Sequence, residues 1–150
     1  MKVILSRHGS VKNPAEDPDR SLSEVGRAEI QRVAGKLKDA GVRVARVEHS
    51  PKKRAMETAE ILAEVVAPGV QLTLRTDLNP LDNVGDWAAE LEQLEEDTLL
   101  VGHLPFMGNL ARVLLGPDSE ETIFFSTGTA LCLERVEAGV WRKVWVADPG

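Results

Sequence analysis

A single cysteine, Cys132, among 150 residues leaves the chain with no internal disulfide and without the thiolates of a multi-cysteine metal centre. Neither a metal nor an organic cofactor is expected. Long apolar runs are missing too. Met1-Lys2 is followed by only three strongly apolar residues before Ser6-Arg7, far too few for a secretory core or a membrane span. That predicts a cytoplasmic protein with no membrane partner. Positive charge is scarce: 18 Lys and Arg against 24 Asp and Glu give a net charge of −6. Phosphate backbones demand clustered Lys and Arg over an extended surface, so nucleic acid is excluded as a partner. Aromatic residues make up 4% and nothing in their placement suggests base stacking. The chain also lacks a P-loop, an internal repeat and any low-complexity tract.

A global deficit of positive charge does not exclude one bound phosphate. Salt screens distant charges beyond about 8 Å, whereas one arginine at contact distance is worth about 4 kcal/mol at an effective dielectric of about 20. Local arginines therefore outweigh the overall balance.

What is present fits an ordinary soluble enzyme. At 43% hydrophobic and 28% charged residues, the chain reads as one domain over residues 1–150. Strands and helices alternate, the pattern of a sheet covered on both faces. A first strand, Val3-Ile4-Leu5, gives way to an irregular stretch from Ser10 to Leu22 with Pro14, Pro18 and the charges Glu16, Asp17, Asp19 and Arg20. Ser23 reads as the N-cap of a helix with Ile30, Val33, Ala34 and Leu37 facing inward, ending near Gly41. Val42, Val44 and Val47 predict a second strand ending at His49. A helix then opens at Pro51, with Ala55, Ala59, Leu62 and Val66 inward; Ser50 reads as its cap, with a reach into the site as the alternative.

A third strand is predicted over Val70 to Arg75, then a loop, Thr76 to Gly85, and a helix from about Asp86 to Leu94. Thr98 to Val101 is an unbroken apolar run, as expected of a central strand buried on both faces, and it ends at Gly102-His103. Phe106, Leu110, Val113 and Leu114 mark a helix closed by Gly116-Pro117. Thr122 to Ser126, Ala130 to Val136 and Trp141 to Ala147 read as antiparallel terminal strands, with Glu137-Ala138-Gly139 as a hairpin turn. Phe124, Phe125, Leu131, Leu133, Trp141 and Trp145 read as core or sheet-face residues.

The triplet Arg7-His8-Gly9 stands where the first strand runs out. There a ring nitrogen can be offered to phosphorus while the neighbouring guanidinium holds phosphate oxygens. Open α/β sheets bind ligands outside the carboxyl ends of their strands. Three such ends supply Arg7 and His8, the segment Ser50 to Arg54, and His103. Two histidines and two arginines gathered there suit one phosphoryl group. Lysine could not replace the forked donors of Arg54, so Arg54→Lys is expected to be damaging. His8 must be neutral at its attacking nitrogen, so its other nitrogen should donate to a backbone carbonyl, and Gly9 is read as leaving the pocket side open. The arginines would push free His103 towards the neutral form, and a bound phosphate would draw it back to the cation. His49 is placed outside the chemistry.

Four segments together resemble the histidine phosphatase superfamily, also called phosphoglycerate-mutase-like. They are Arg7-His8-Gly9, Leu22-Ser23-Glu24-Val25-Gly26, the run from Ser50 to Ala59, and Val101-Gly102-His103. The short length, Gly102-His103-Leu104-Pro105 and Leu78-Asn79-Pro80 look most like the small bacterial phosphohistidine phosphatases within it. The resemblance implies a three-layer α/β/α sandwich with a mostly parallel central sheet and antiparallel C-terminal strands. It implies His8 as nucleophile, with Arg7, Arg54 and His103 around the phosphate and Gly9 and Leu104 at the substrate.

Phosphate-ester members carry an Asp or Glu that protonates the leaving oxygen. Here Pro80 takes the matching place. An alkoxide leaves about as badly as hydroxide, whose parent water has a pKa of about 15.7. An imidazole, with a pKa of about 6.5, can leave phosphohistidine without such an acid. The expected substrate is therefore phosphohistidine on a partner protein, and the resemblance implies a phosphotransfer domain or a phosphocarrier as that partner. A small phosphate ester with Asp82 or Asp77 as acid, and a sensing module without turnover, stay open as alternatives. The chain also has no room for a lid over a small substrate.

Overall fold

The computed structural model describes residues 1–119 and 123–150. Ten elements follow one another: β1 (Lys2–Arg7), α1 (Glu24–Asp39), β2 (Arg46–His49), α2 (Lys53–Val66), β3 (Leu72–Leu74), α3 (Val84–Gln93), β4 (Thr98–Gly102), α4 (Phe106–Leu115), β5 (Ala130–Glu137) and β6 (Val140–Ala147). The strands form one sheet in the order β3-β2-β4-β1-β5-β6. β3, β2, β4 and β1 run parallel, while β5 and β6 add on antiparallel beside β1. This is the mixed α/β sheet expected from the sequence.

Strand alternation sends side chains to two separate cores. Ile4, Leu99 and Val101 join Ile30, Val33 and Leu37 of α1 and Ala59, Leu62 and Val66 of α2 on one face. Val3, Leu5 and Leu100 join Trp87 and Leu91 of α3 and Phe106, Met107 and Leu110 of α4 on the other. Fully burying each such large side chain contributes about 1.5–3 kcal/mol. All five residues of β4 are buried, as its apolar run demands. Among the described residues no helix is long and apolar enough to cross a membrane.

Local signals hold where a specific bond backs them. Ser23 caps α1 by accepting from the Gly26 amide at 3.0 Å. Gly139, at φ +72°, makes the two-residue turn between the paired Glu137 and Val140.

Other expectations fail for identifiable reasons. Val42 and Val44 are not in β2, because their amides bond to the C-terminal carbonyls of two helices, Leu37 of α1 and Val66 of α2. Val113 lies off the buried stripe of α4 and is 50% exposed. The predicted strand at Thr122 to Ser126 begins outside the described residues, and Ile123 to Ser126 form no ladder. Phe124 is 80% exposed rather than in a core.

Candidate functional site

β1 and β4 are parallel neighbours in register, Arg7 opposite Gly102, so His8 and His103 leave adjacent strands side by side. The His8 amide bonds to the Gly102 carbonyl at 3.1 Å. The two imidazoles meet edge to face with centroids 5.0 Å apart. β2 lies on the other side of β4, and the Ser50 amide donates to the Val101 carbonyl at 3.0 Å, bringing the entry to α2 to the same place. Arg54 stands in the first turn of α2 and is half-buried; its charge acts on both His8 and His103. Three strand ends thus bring together the four residues singled out from the sequence.

The tautomer of His8 follows from one bond. Its Nδ1 lies 2.8 Å from the Gly9 carbonyl oxygen, which can only accept. Nδ1 therefore carries the proton and Nε2 keeps its lone pair. Burial, opposed by that bond and assisted by Arg54, Arg7 and Arg20, pulls the His8 pKa down to about 4. His103 is 2% exposed. Burial first, then the neighbouring His8, Arg54, Lys52 and Arg7, lower its pKa to about 3. Both rings are neutral at pH 7.

The guanidiniums are also short of counter-charge. Arg7 gives Nη1 to the Phe125 carbonyl at 2.8 Å, while its buried Nε has no partner. Among the described residues no carboxylate forms an ion pair with Arg7 or Arg54. Burial holds both below the usual arginine value, with Glu29 partly offsetting this at Arg7 and Arg20 adding to it at Arg54. A cluster of partly desolvated guanidiniums, with no carboxylate paired to them among the described residues, beside two neutral imidazoles favours an anion.

Ser50 takes up the alternative weighed for it, while Thr58 and Glu57 were not apparent from the sequence. Ser50 is more than a helix cap: its hydroxyl shares a 2.6 Å hydrogen bond with His103 Nε2 and also accepts from the Lys52 amide at 3.2 Å. The helix itself starts at Lys53, with Lys52 at the cap position. Thr58, one turn after Arg54, donates to the Arg54 carbonyl at 2.8 Å and accepts from the Gly9 amide at 3.2 Å. Buried Glu57 accepts from the Leu22 amide at 3.0 Å and pairs closely with Arg27, tying the β1–α1 loop to α2. The signal available for both was a polar side chain inside an otherwise apolar helix pattern.

Gly9 plays a different part from the one expected. A Cβ there would meet the Gly26 carbonyl oxygen at 2.9 Å, Ile30 at 3.0 Å and Leu22 at 3.2 Å, so the missing side chain makes room for α1 rather than opening the pocket. Its amide is already committed to Thr58 and its carbonyl to His8. Leu104 follows His103 at the mouth and is 36% exposed. His49 is buried, its Nδ1 2.8 Å from the Ser50 carbonyl oxygen.

Both candidate acids of the β3–α3 loop are engaged elsewhere. Asp77 is held by Arg75 at 2.8 and 3.1 Å, in a cluster that includes Glu48 and Glu90 and stacks on Trp87. Asp82 folds back to accept from the Asn79 amide at 2.8 Å.

Comparison with known proteins agrees with this arrangement. The family described as Histidine phosphatase superfamily (branch 1) matches residues 3–99. The phosphohistidine phosphatase SixA of Escherichia coli is 29% identical over 154 residues, covering 99% of this chain and 94% of its own. An uncharacterized protein of Picosynechococcus is 34% identical over 122 residues, covering 76% of this chain and 73% of its own. Among solved structures, the protein histidine phosphatase SixA complexed with tungstate superposes with a TM-score of 0.88 at 28% identity, over 99% of this chain and 97% of that one.

Proposed function

The chain belongs to the histidine phosphatase superfamily, and on that premise we propose that residues 1–150 act as one domain that hydrolyses phosphohistidine on a partner protein. The observation that carries the reading is the neutral His8 with its proton on Nδ1, next to two guanidiniums that no carboxylate among the described residues pairs with. His8 Nε2 forms the bond to phosphorus. The substrate's P–N bond breaks, its electron pair goes to the departing nitrogen, and an imidazole already protonated on its other nitrogen leaves neutral. Arg7 and Arg54 stabilise the charge on the equatorial oxygens with forked donors. With the phosphoryl group present, His103 takes up a proton and adds a further positive charge. Water then bonds to phosphorus, the P–Nε2 bond breaks, and inorganic phosphate leaves with the water's oxygen and protons. These side chains supply the positive charge that the reaction asks for.

The engagement of Asp77 by Arg75 and of Asp82 by Asn79 supports a substrate whose leaving group needs no enzyme acid. So does the likeness to the E. coli phosphohistidine phosphatase. The test is rapid mixing with a ³²P-labelled phosphohistidine protein, quenched in alkali, beside a panel of small phosphate esters. Acid-labile label on His8, absent in His8→Ala, with esters turned over poorly, is the expected result. Efficient ester turnover that Asp82→Asn abolishes would replace the proposal with a phosphomonoesterase. Tight binding with no label would make the protein a sensor.

A further inference from the structure

The loop after the triplet and the segment before β5 meet at one carboxylate. Glu29 stands in α1 beside buried Ile30 and is itself partly buried. Its Oε1 accepts from the Ser10 amide at 2.8 Å, and its Oε2 accepts from the Thr127 hydroxyl at 3.0 Å. The Ser10 and Thr127 hydroxyls, 117 residues apart in the chain, lie 3.2 Å from each other and close the triangle. Among the described residues no cation forms an ion pair with Glu29. A carboxylate that gives up part of its hydration without a cation is here held by hydrogen bonds from two separate loops.

Both loops bear on the reacting groups. Ser10 follows Gly9, whose carbonyl holds His8 Nδ1. The segment Phe125 to Thr129 runs along the end of β1: the Thr129 carbonyl accepts from the Arg7 amide at 3.0 Å, and the Gly128 amide donates to the His8 carbonyl at 3.0 Å. Its Phe125 carbonyl, 2.8 Å from Nη1, is the hydrogen-bond partner of the Arg7 side chain among the described residues, since buried Nε has none. The aim of that guanidinium therefore depends on where the segment lies. Gly128, at φ +81°, brings the segment's backbone onto α1, where a Cβ would be 3.3 Å from Ile30 and 3.5 Å from Glu29. Glu29 fixes it there.

Resting on the phosphatase reading above, we propose that Glu29 is a positioning residue, whose carboxylate clasps the loop after the triplet to the segment before β5 and so aims Arg7 at the phosphoryl group. It acts through Ser10 and Phe125 and is not among the reacting groups. Such a clasp needs two polar atoms at the right reach rather than a charge. Glutamine supplies them: its carbonyl oxygen accepts from the Ser10 amide, and its NH2 donates to Thr127 Oγ1, whose proton turns to Ser10 Oγ. Aspartate is one methylene too short to span both loops, and alanine makes neither bond. The charge itself works the other way, because Glu29 acts on Arg7 and competes with the anion for it. Geometry and charge can therefore be separated.

The test compares Glu29→Ala, Glu29→Asp, Glu29→Gln and Thr127→Val. Urea unfolding checks that each is folded, calorimetry reads tungstate affinity, and kcat is measured on phosphoramidate. Glu29→Ala should lower kcat about thirtyfold and weaken tungstate about fivefold, the larger effect falling on kcat because Arg7 meets charge that grows in the transition state. Glu29→Asp should behave nearly as badly. Glu29→Gln should keep kcat within about threefold and bind tungstate at least as tightly as the parent. Thr127→Val, which cuts only the second bond, should lower kcat about fivefold, and adding it to Glu29→Ala should cost little more. Folded Glu29→Ala with parent-like kcat and tungstate affinity would overturn the clasp, as would Glu29→Gln failing like alanine. Should Glu29→Ala not fold, parent-like behaviour of Thr127→Val overturns it alone. A parent inert towards phosphoramidate, with tungstate affinities still in this order, would refute the enzyme and keep the clasp.

Discussion

Acidification should unfold this protein earlier than its carboxylates alone would require. His8 and His103 have native pKa values of about 4 and about 3, while an unfolded histidine titrates at about 6.5. Between those limits the unfolded chain binds protons that the native state refuses, so stability falls as pH drops through 6.5 and continues to fall towards the native values. At pH 5 each ring loses about 2 kcal/mol relative to pH 8, and the pair loses up to about 4 kcal/mol. Against a total of about 5–15 kcal/mol for an ordinary domain, that is a large share. Urea unfolding at pH 8, 7, 6 and 5 measures it. His8→Gln and His103→Gln should each remove about half of the dependence. Tungstate, by pairing with the protonated rings, should bind more tightly as pH falls from 8 to 6 and restore part of the lost stability. If both variants lose stability with the same slope as the parent, the rings are not the neutral, desolvated groups described above.

Gly26→Ala should be among the most damaging substitutions outside the chemistry. The added Cβ would lie 1.9 Å from the Ser10 carbonyl oxygen, forcing the start of α1 away from the loop after the triplet. A loss of about 3 kcal/mol or more is expected in urea unfolding, and a change under 1 kcal/mol would show that the loop yields freely. Ser50→Ala removes the 2.6 Å partner of buried His103 Nε2. Its expected cost is about 1–3 kcal/mol, read from the same unfolding curves, and an unchanged midpoint would mean that the bond is not formed in solution.

The convergence of Arg7, His8 and His103 could be read from the sequence because each sits where an apolar strand stops, and that of Arg54 because it opens the helix that follows another. A strand end is written locally, in Val3 to Leu5 and in Thr98 to Val101, and parallel sheets gather their ligands there. What escaped was written between segments. Thr58 matters through a bond to Gly9, a contact that no spacing along the chain reveals, while Ser50, preferred as a cap, reaches His103 as its alternative reading allowed. Gly9 reads as opening the site, whereas the atoms that crowd it belong to Gly26 and Ile30 of α1 and to Leu22 just before it. Val42 and Val44 have β-branched side chains, yet their amides are bonded to helix ends. Phe124 was assigned inward on hydrophobicity alone, which cannot tell a core from a contact surface.

β1 is held between strands that come much later: Val3 pairs with Thr98 on one side and with Leu133 on the other. As the chain leaves the ribosome, the segment that leads into His8 waits for nearly the whole polypeptide before it can take its place. Such distant pairings form slowly, because a long loop must close before its contacts repay the lost freedom. Catalytic competence should therefore appear in one late step, and a nascent chain halted before β5 should have no activity to inhibit.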